Sequence, residues 1–400
     1  MLEQILIQQL CAGNGWRVSD EKRTREGIEV RLVPSRQSAV CSCCGETKRR
    51  TLDTKRRERR WRHLDAWGVQ TVVIAPQRRV RCRWCGVRIE RVPWARPASR
   101  FTHGFELEML KRARDTSIAG VCRQLRVHWT TVQRLITRWV KESADKHFRR
   151  RLRKIGVDEI SYGRGQSKYL TVVWDHERGQ VVWIGQGREQ QTLEQFFEKL
   201  GRVRSHRLWC VTMDMAQGYI AAVTEHAPQA EIIFDRFHIE RHLTNAVNEV
   251  RKQEFFRRGG RYREAIRGKK FLLLKKRRRL HWRRRPQLDA LLALNRRLAR
   301  AYVLKEQFDH AWSYGTRRAM WDFLLSWRDM LRWTRLKPLW NFWAMIYRHW
   351  CGVIAWADWH LSNAALEGNN ARIRGLSQRA HGYRNPTNLM HAIYVSSWRS

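Results

Sequence analysis

Three carboxylates in this sequence have the surroundings of divalent-metal ligands. Asp158 closes the apolar run that holds Ile155 and Val157, and Asp214 follows Val211-Thr-Met. Glu367 lies in Ser362-Asn363-Ala-Ala-Leu-Glu367-Gly368-Asn369-Asn370, a polar segment that reads as a helix start. An aspartate at the carboxyl end of a buried strand stands at a crevice rim, where open α/β sheets place their sites. Oxygen donors left partly unsaturated by protein suit Mg²⁺ or Mn²⁺, which keep waters and bind phosphate oxygens. Any one such aspartate taken alone is more often a turn or helix cap. Cys41-Ser-Cys43-Cys44-Gly45 and Cys82-Arg-Trp-Cys85-Gly86 form a second constellation, two Cys-x-x-Cys knuckles each closed by a glycine that lets the backbone turn around an ion. Cys41, Cys44, Cys82 and Cys85 are the expected ligands of a structural Zn²⁺, with Cys43 to spare; unrelated thiol pairs are the rival reading.

The charge of the chain says what such chemistry would act on. Lys plus Arg number 80 against 37 Asp plus Glu, a net charge of +43, which implies a polyanionic partner. Neither end carries a lysine-rich amphipathic helix that would make that partner a membrane. At 43% hydrophobic residues over 400 positions the chain can bury more than one core, so a disordered basic tail is excluded. The first fifteen residues lack a basic segment before their apolar stretch and read as no secretory signal. Asn341, Arg348, His349 and Asp358 interrupt 339–359, the most membrane-like stretch. A soluble cytoplasmic protein is expected, with Cys11, Cys122, Cys210 and Cys351 as single buried thiols. There is no Gly-rich phosphate loop, so no nucleotide cofactor is expected.

The elements that must position these residues follow from periodicity. Alternating strands are expected over Gln70–Val80, between the cysteine knuckles. Helices are expected over Phe105–Arg114, Ser117–Leu125 and Trp129–Lys141. The last two read as a helix-turn-helix in which Ile118, Val121 and Leu125 face Val132, Leu135 and Ile136. Thr130, Thr131, Gln133, Arg134 and Arg138 are then left for DNA, although three ordinary helices with a polar face would look similar. From Ile155 the pattern becomes α/β: strands at Ile155–Ile160, Tyr169–Trp174 and Gln180–Ile184, a helix at Thr192–Leu200, a strand at Leu208–Met213, a helix at Gly218–His226 and a strand at Glu231–Phe234. Three meandering strands followed by two crossover strands are the ribonuclease H order, which makes the first and fourth strands parallel neighbours and sets Asp158 beside Asp214. Strand alternation turns Glu159 to the opposite face, so it is not counted as a ligand.

The separation of Asp214 from Glu367 is far longer than such a core needs, so residues 246–350 are read as an all-α insertion. It holds the basic run Lys275-Lys276-Arg277-Arg278-Arg-Leu-His-Trp-Arg-Arg-Arg285, suited to a phosphate backbone, or else a solvated helix face or disordered loop. Trp312, Trp321, Trp327, Trp333, Trp340, Trp343 and Trp350 follow, mostly as core, with one or two free to stack on an unpaired base. The expected architecture is multidomain α/β: a zinc-ribbon-like domain over 1–95, a helix-turn-helix over 96–150, a mixed-sheet catalytic core over 151–245 and 351–400, and the helical insertion between its parts.

The double Cys-x-x-Cys region, the helix-turn-helix, Asp158-Glu159, Tyr169-Leu-Thr-Val-Val-Trp-Asp175 and Asp235-Arg-Phe-His238 together resemble a known family. So do Phe271-Leu-Leu-Leu-Lys275, Ala301-Tyr-Val-Leu-Lys305-Glu306 and, most specifically, Asn363-Ala-Ala-Leu-Glu367-Gly-Asn-Asn370 running into His381-Gly-Tyr-Arg-Asn385. The chain resembles the ISL3 insertion-sequence transposases, a branch of the DDE transposases. That resemblance implies a triad of Asp158, Asp214 and Glu367 on two Mg²⁺ or Mn²⁺ ions, with Asp235 and His238 behind it. Asn363, Asn369 and Asn370 are then candidates for ordering the glutamate helix or a DNA strand, and Arg372, Arg374 and Arg379 for gripping phosphates. It also implies double-stranded DNA as partner, both element terminal inverted repeats and target, a homodimer or larger assembly on it, and a nucleoid-associated place in a bacterial cytoplasm. Two other functions fit the same residues: a DNA-binding regulator on an inactive scaffold, and a metal-dependent nuclease that cuts without joining.

Overall fold

A computed structural model describes residues 15–48, 51–52, 57–148, 150–163, 168–257, 260–380, 382–383 and 385–398; the side chains at 48, 144–145, 147, 261–262, 364–367, 369, 376 and 379 lie outside that description. The chain divides into two compact units, Met1–Trp139 and Val140–Ser400. Among the described residues no helix is long and apolar enough to cross a membrane.

The first unit is built on a four-stranded sheet in the order β1-β2-β6-β5, from Trp16–Arg23, Ile28–Pro34, Val69–Gln77 and Arg57–Ala66. Alternation along Ile28–Pro34 and Arg57–Ala66 turns Val30, Leu32, Trp61 and His63 inward, and Trp16 and Trp94 close the core edge-to-face at 4.9 Å. The cysteines lie apart from this sheet, on two small hairpins: β3 (Ala39–Val40) with β4 (Thr47–Lys48), and β7 (Arg79–Cys82) with β8 (Gly86–Ile89). Buried Arg78 fastens the knuckles. Its Nε donates to Glu90 at 2.5 Å, and its terminal nitrogens donate to the carbonyls of Arg36 and Ser38 at 3.0 and 3.1 Å.

Three helices follow, His103–Asp115, Ile118–Leu125 and Trp129–Phe148. Thr102 and Ser117 cap the first two by accepting from Phe105 and Gly120. The turn comes where Arg126 takes a left-handed conformation (φ 54°); Val121, Leu125, Val132, Leu135 and Ile136 are buried as expected, while Ile118 is half-buried. The third helix outruns its expected end at Lys141, because Phe148 gains a buried seat against Phe196.

The second unit holds a five-stranded sheet in the order β11-β10-β9-β12-β13, from Gln180–Gln186, Tyr169–Asp175, Lys154–Ser161, Cys210–Met213 and Glu231–Phe234. The first three strands pair antiparallel, and β9, β12 and β13 run parallel. Near-continuous burial along β10, β11 and β12 reflects a sheet covered on both faces.

The region read as an insertion is helical, and the helix that leads into it begins within the residues read as core. Helix Arg236–Arg257 runs unbroken through position 246 and packs on Arg296–Phe308 and Lys337–Arg348. Its buried residues Ile239, Leu243, Val247 and Val250 join one core with sheet residues Ile155, Val211 and Phe234 and with Phe308, Trp312, Trp327 and Trp343. Trp327 also donates to the Leu304 carbonyl at 2.8 Å, while Trp333 stays 85% exposed. Cys210 is buried, whereas Cys122 is half-buried and Cys351 is exposed at the start of helix Trp350–Ile354, correcting two of the buried-thiol expectations; Cys11 lies outside the described residues.

Candidate active site

Asp158 and Asp214 line one cavity of about 920 Å³ in the second unit, together with Glu159, His238 and His242. Parallel pairing of β12 with β9 brings their strand ends to the same side. Arg188, Arg241, Arg348 and Arg374 also line it, so an acidic floor is rimmed by cations suited to phosphate oxygens. The Asp158 Oδ2 accepts from Asn370 Nδ2 at 2.7 Å, and its Oδ1 accepts from the Glu159 backbone N–H at 2.8 Å. Burial pushes the Asp158 carboxyl up; the Asp235 and Asp214 charges add to this, while the Glu159 N–H and His238 oppose it.

Behind these groups a hydrogen-bonded knot joins the start of helix Ala364–Arg379 to the sheet. Asn363, fully buried, donates its backbone N–H to Asp235 Oδ1 at 3.0 Å and its Nδ2 to the Val157 carbonyl at 3.1 Å. Its Oδ1 accepts from Thr212 Oγ1 at 2.6 Å. Since that uses the one Thr212 proton, the His176 Nε2 found 2.6 Å from the same oxygen is the donor there. Burial lowers His176 to about 4, which keeps it neutral for that role. The knot lies over Gly156, where a Cβ would come within 2.7 Å of Asn363 Oδ1 and 2.9 Å of His176 Nε2. Neither His176 nor Thr212 was singled out from the sequence, and no spacing signals their pairing.

Asp235 follows β13, and its Oδ2 sits 3.4 Å from His238 Nδ1. Among the described residues neither of those atoms has a hydrogen-bond partner, and buried Asn370 Oδ1 has none either. Glu367 lies in helix Ala364–Arg379 three residues before Asn370, but its side chain, like those of Asn369 and Arg379, falls outside the described residues. On the same helix Arg374 lines the cavity, and exposed Arg372 donates to the Ser396 carbonyl at 3.3 Å.

In the first unit the sulfurs of Cys41, Cys44, Cys82 and Cys85 all lie within 4.8 Å of one another, Cys44 and Cys82 at 3.5 Å. A tetrahedron of thiolates about 2.3 Å from a central ion has edges of about this size. Backbone N–H groups of Cys44 and Cys43 pull Cys41 down to about 7.

The candidate DNA-facing residues differ in availability. On helix Trp129–Phe148 Thr130 and Arg134 are exposed and Thr131 and Gln133 half-buried, while Arg138 pairs with Glu106 at 2.8 Å. The basic run is neither a helix face nor a loose loop. It forms two 3-10 turns, Arg277–Arg279 and Trp282–Arg284, pinned by buried Leu280. Lys276 pairs with Asp309 at 2.5 Å and Glu240 at 3.0 Å, Arg278 with Asp309 at 3.0 Å, and Arg277 with Asp289. Lys275 is exposed, its carbonyl held by Lys305 Nζ at 2.8 Å.

Comparison with known proteins agrees in all three regions. Residues 155–393 match a family model described as transposase, of the ISL3 type. Residues 90–140 match the helix-turn-helix domain of transposase family ISL3, and residues 37–85 the zinc-finger of transposase IS204/IS1001/IS1096/IS1165. The chain is 32% identical over 98% of its length to the transposase for insertion sequence element IS1557 of Mycobacterium tuberculosis, covering 90% of that protein. It is 28% identical to the transposase for insertion sequence element IS1001 of Bordetella parapertussis, over 96% of each chain. With these matches spanning knuckles, helix-turn-helix and carboxylate-bearing sheet alike, the chain belongs to the ISL3 family of transposases.

Proposed function

We propose that this transposase cuts DNA at the ends of its insertion sequence and joins the freed 3′-hydroxyls to target DNA, using Asp158, Asp214 and Glu367 to hold Mg²⁺ or Mn²⁺. The observation that carries this reading is the half-buried Asp158 carboxyl, crowded by Asp214 and Asp235 in a cavity rimmed by arginines. The site fits a hard cation: carboxylate and amide oxygens predominate, and Asn370 Oδ1 and Asp235 Oδ2 are buried without hydrogen-bond partners among the described residues. The order of the five strands supports a ribonuclease H-like core. Two bound ions would supply polarisation of the scissile phosphate and of the attacking and leaving oxygens.

The chain's own residues do the rest. Asn370 orients Asp158, and Asn363 ties the glutamate-bearing helix to β9, β12 and Asp235. His238, beside Asp235, orients that carboxylate or contacts the scissile phosphate. Arg188, Arg241, Arg348 and Arg374 line the path of the strand being cut. Cys41, Cys44, Cys82 and Cys85 hold a structural Zn²⁺. Thr130, Thr131, Gln133, Arg134 and Arg138 face the terminal repeats, with Lys275–Arg278, Arg372 and Arg379 on phosphates. Two ends must meet, so the working form is a homodimer or larger, beside the nucleoid in a bacterial cytoplasm. The division into domains at 1–95, 96–150, 151–245, 246–350 and 351–400 belongs to this reading.

The test is a joining assay with duplexes bearing the element's ends, a supercoiled target and Mg²⁺. Covalently joined product from wild type, absent for Asp158→Asn, Asp214→Asn and Glu367→Gln, is expected. Nicks without joining reduce the protein to a nuclease, and tight end binding without either product makes it a regulator.

A further inference from the structure

The hairpin formed by β5 and β6 carries a tryptophan at its tip. Ala66 pairs with Val69, so the loop is the two residues Trp67 and Gly68, with φ of 48° and 76°. Two positive φ values make the tight turn that Asn-Gly forms most readily, and a bulky side chain rarely accepts the first position. The Trp67 indole is also 74% exposed, so burial does not compensate for the backbone conformation. The tip is nevertheless held in place. One extra residue between His63 and Ala66 bulges β5 beside it. Arg126, the left-handed residue at the turn of the helix-turn-helix, donates through Nη2 to Asp65 Oδ2 at 2.6 Å and to the Gly68 carbonyl at 3.1 Å. Arg62 pairs with the same aspartate, and its guanidinium lies 5.1 Å from the centre of the Phe105 ring on the first helix.

We propose that this tip is a DNA-contacting wing, which seats the Trp67 indole in the minor groove beside the major groove that takes helix Trp129–Phe148. The proposal rests on the reading of that helix as the one that enters DNA. A recognition helix presents its N-terminal residues to base edges, so the turn before it stands at the groove's rim. A tip fastened to Arg126, three residues before Trp129, is held at that rim. Beyond the rim come a phosphate ridge and then the adjoining minor groove. Arg112, Arg123 and Arg126 line a cavity of about 570 Å³ between the tip and the helices, where Glu108 and Asp65 balance Arg112 and Arg126. Exposed Arg123 supplies a cation for the ridge. The indole has no charge to offer a phosphate; an apolar wedge instead suits the sugar walls and base steps of a minor groove.

The test uses the full chain and duplexes bearing the element's ends. Trp67→Asn is the informative variant: Asn-Gly suits the turn, so the unfolding temperature should stay at or above that of wild type. Affinity for the duplex should fall about tenfold or more. The slope of log affinity against log salt should not change, since no cation is lost. Hydroxyl-radical footprinting, which reads the sugars of the minor groove, should lose one protected stretch, while protection of guanine N7 from dimethyl sulfate in the adjoining major groove persists. Wild-type affinity with an unchanged footprint overturns the proposal; if the variant then turns a dimer into a monomer, the tip joins copies of this chain instead of DNA. If Trp67→Asn does not fold, Trp67→Gly, which also accepts a positive φ, carries the test. Wild-type affinity and guanine protection in a Thr130→Ala, Arg134→Ala double variant overturn the reading of the recognition helix and this proposal with it. Loss there with none in Trp67→Asn overturns only the wing.

Discussion

The cysteine cluster and the carboxylate cavity gather ligands in opposite ways. Four sulfurs converge within 4.8 Å from two hairpins whose sequence already pairs the cysteines, leaving no position for a substrate. Asp158 and Asp214 come from β9 and from the end of β12, the proposed third ligand Glu367 from a helix far along the chain, and among the described residues the buried oxygens Asn370 Oδ1 and Asp235 Oδ2 have no hydrogen-bond partner. A closed set of soft ligands serves folding, whereas an open set of hard ones serves chemistry. Substitutions in the two regions should therefore fail differently.

The largest effect is expected at the cavity. Asp214→Asn should lower turnover at least about a thousandfold, a loss of several kcal/mol of transition-state stabilisation, and leave the unfolding temperature near wild type; a steady-state assay with a thermal scan checks both. Cys82→Ser should invert that pattern. It should abolish zinc retention, measured by elemental analysis, and lower the stability of the first unit by several kcal/mol.

Each unit also holds a neutral histidine shielded from water, buried His63 in the first and half-buried His176 in the second, which makes the comparison testable by pH. Burial lowers His63 and His176 to about 4, the former beside Thr102 and the latter in the Asn363 knot. The unfolded chain takes up these protons first, near the ordinary value of 6.5. Stability from each is therefore fully present above about pH 6.5 and is lost as pH falls to about 4, a total of about 3 kcal/mol per histidine. Thermal unfolding between pH 7 and pH 4.5 should fall accordingly. His176→Gln should remove that share from the second unit alone. The smallest effect is expected from Gly156→Ala, whose new methyl would press on Asn363 and His176, costing about 1–3 kcal/mol in denaturant unfolding.

How much could be read from the sequence differs in the same way. The cysteines announce themselves by spacing, and strand ends by apolar runs, so Asp158, Asp214 and the strand order were legible before any coordinates. The helix-turn-helix was legible because caps at Thr102 and Ser117 and the buried faces follow local rules. Long-range partners were not. Nothing local links Thr212 and His176 to Asn363, since that pairing depends on which strands become neighbours. Nor did the basic run reveal that Asp309, Glu240 and Asp289 would claim three of its cations, because those acids arrive from other helices. Hydrophobic period alone also does not show that Arg236–Arg257 serves the sheet and the later helices in one core.

The measurement that bears most directly on the account is cleavage of end-bearing DNA by Asp158→Asn, with binding to the same DNA followed by mobility shift. Cleavage reduced at least about a thousandfold with DNA affinity within about twofold of wild type is the predicted result. Cleavage at the wild-type rate would contradict the account and move the active site away from this cavity.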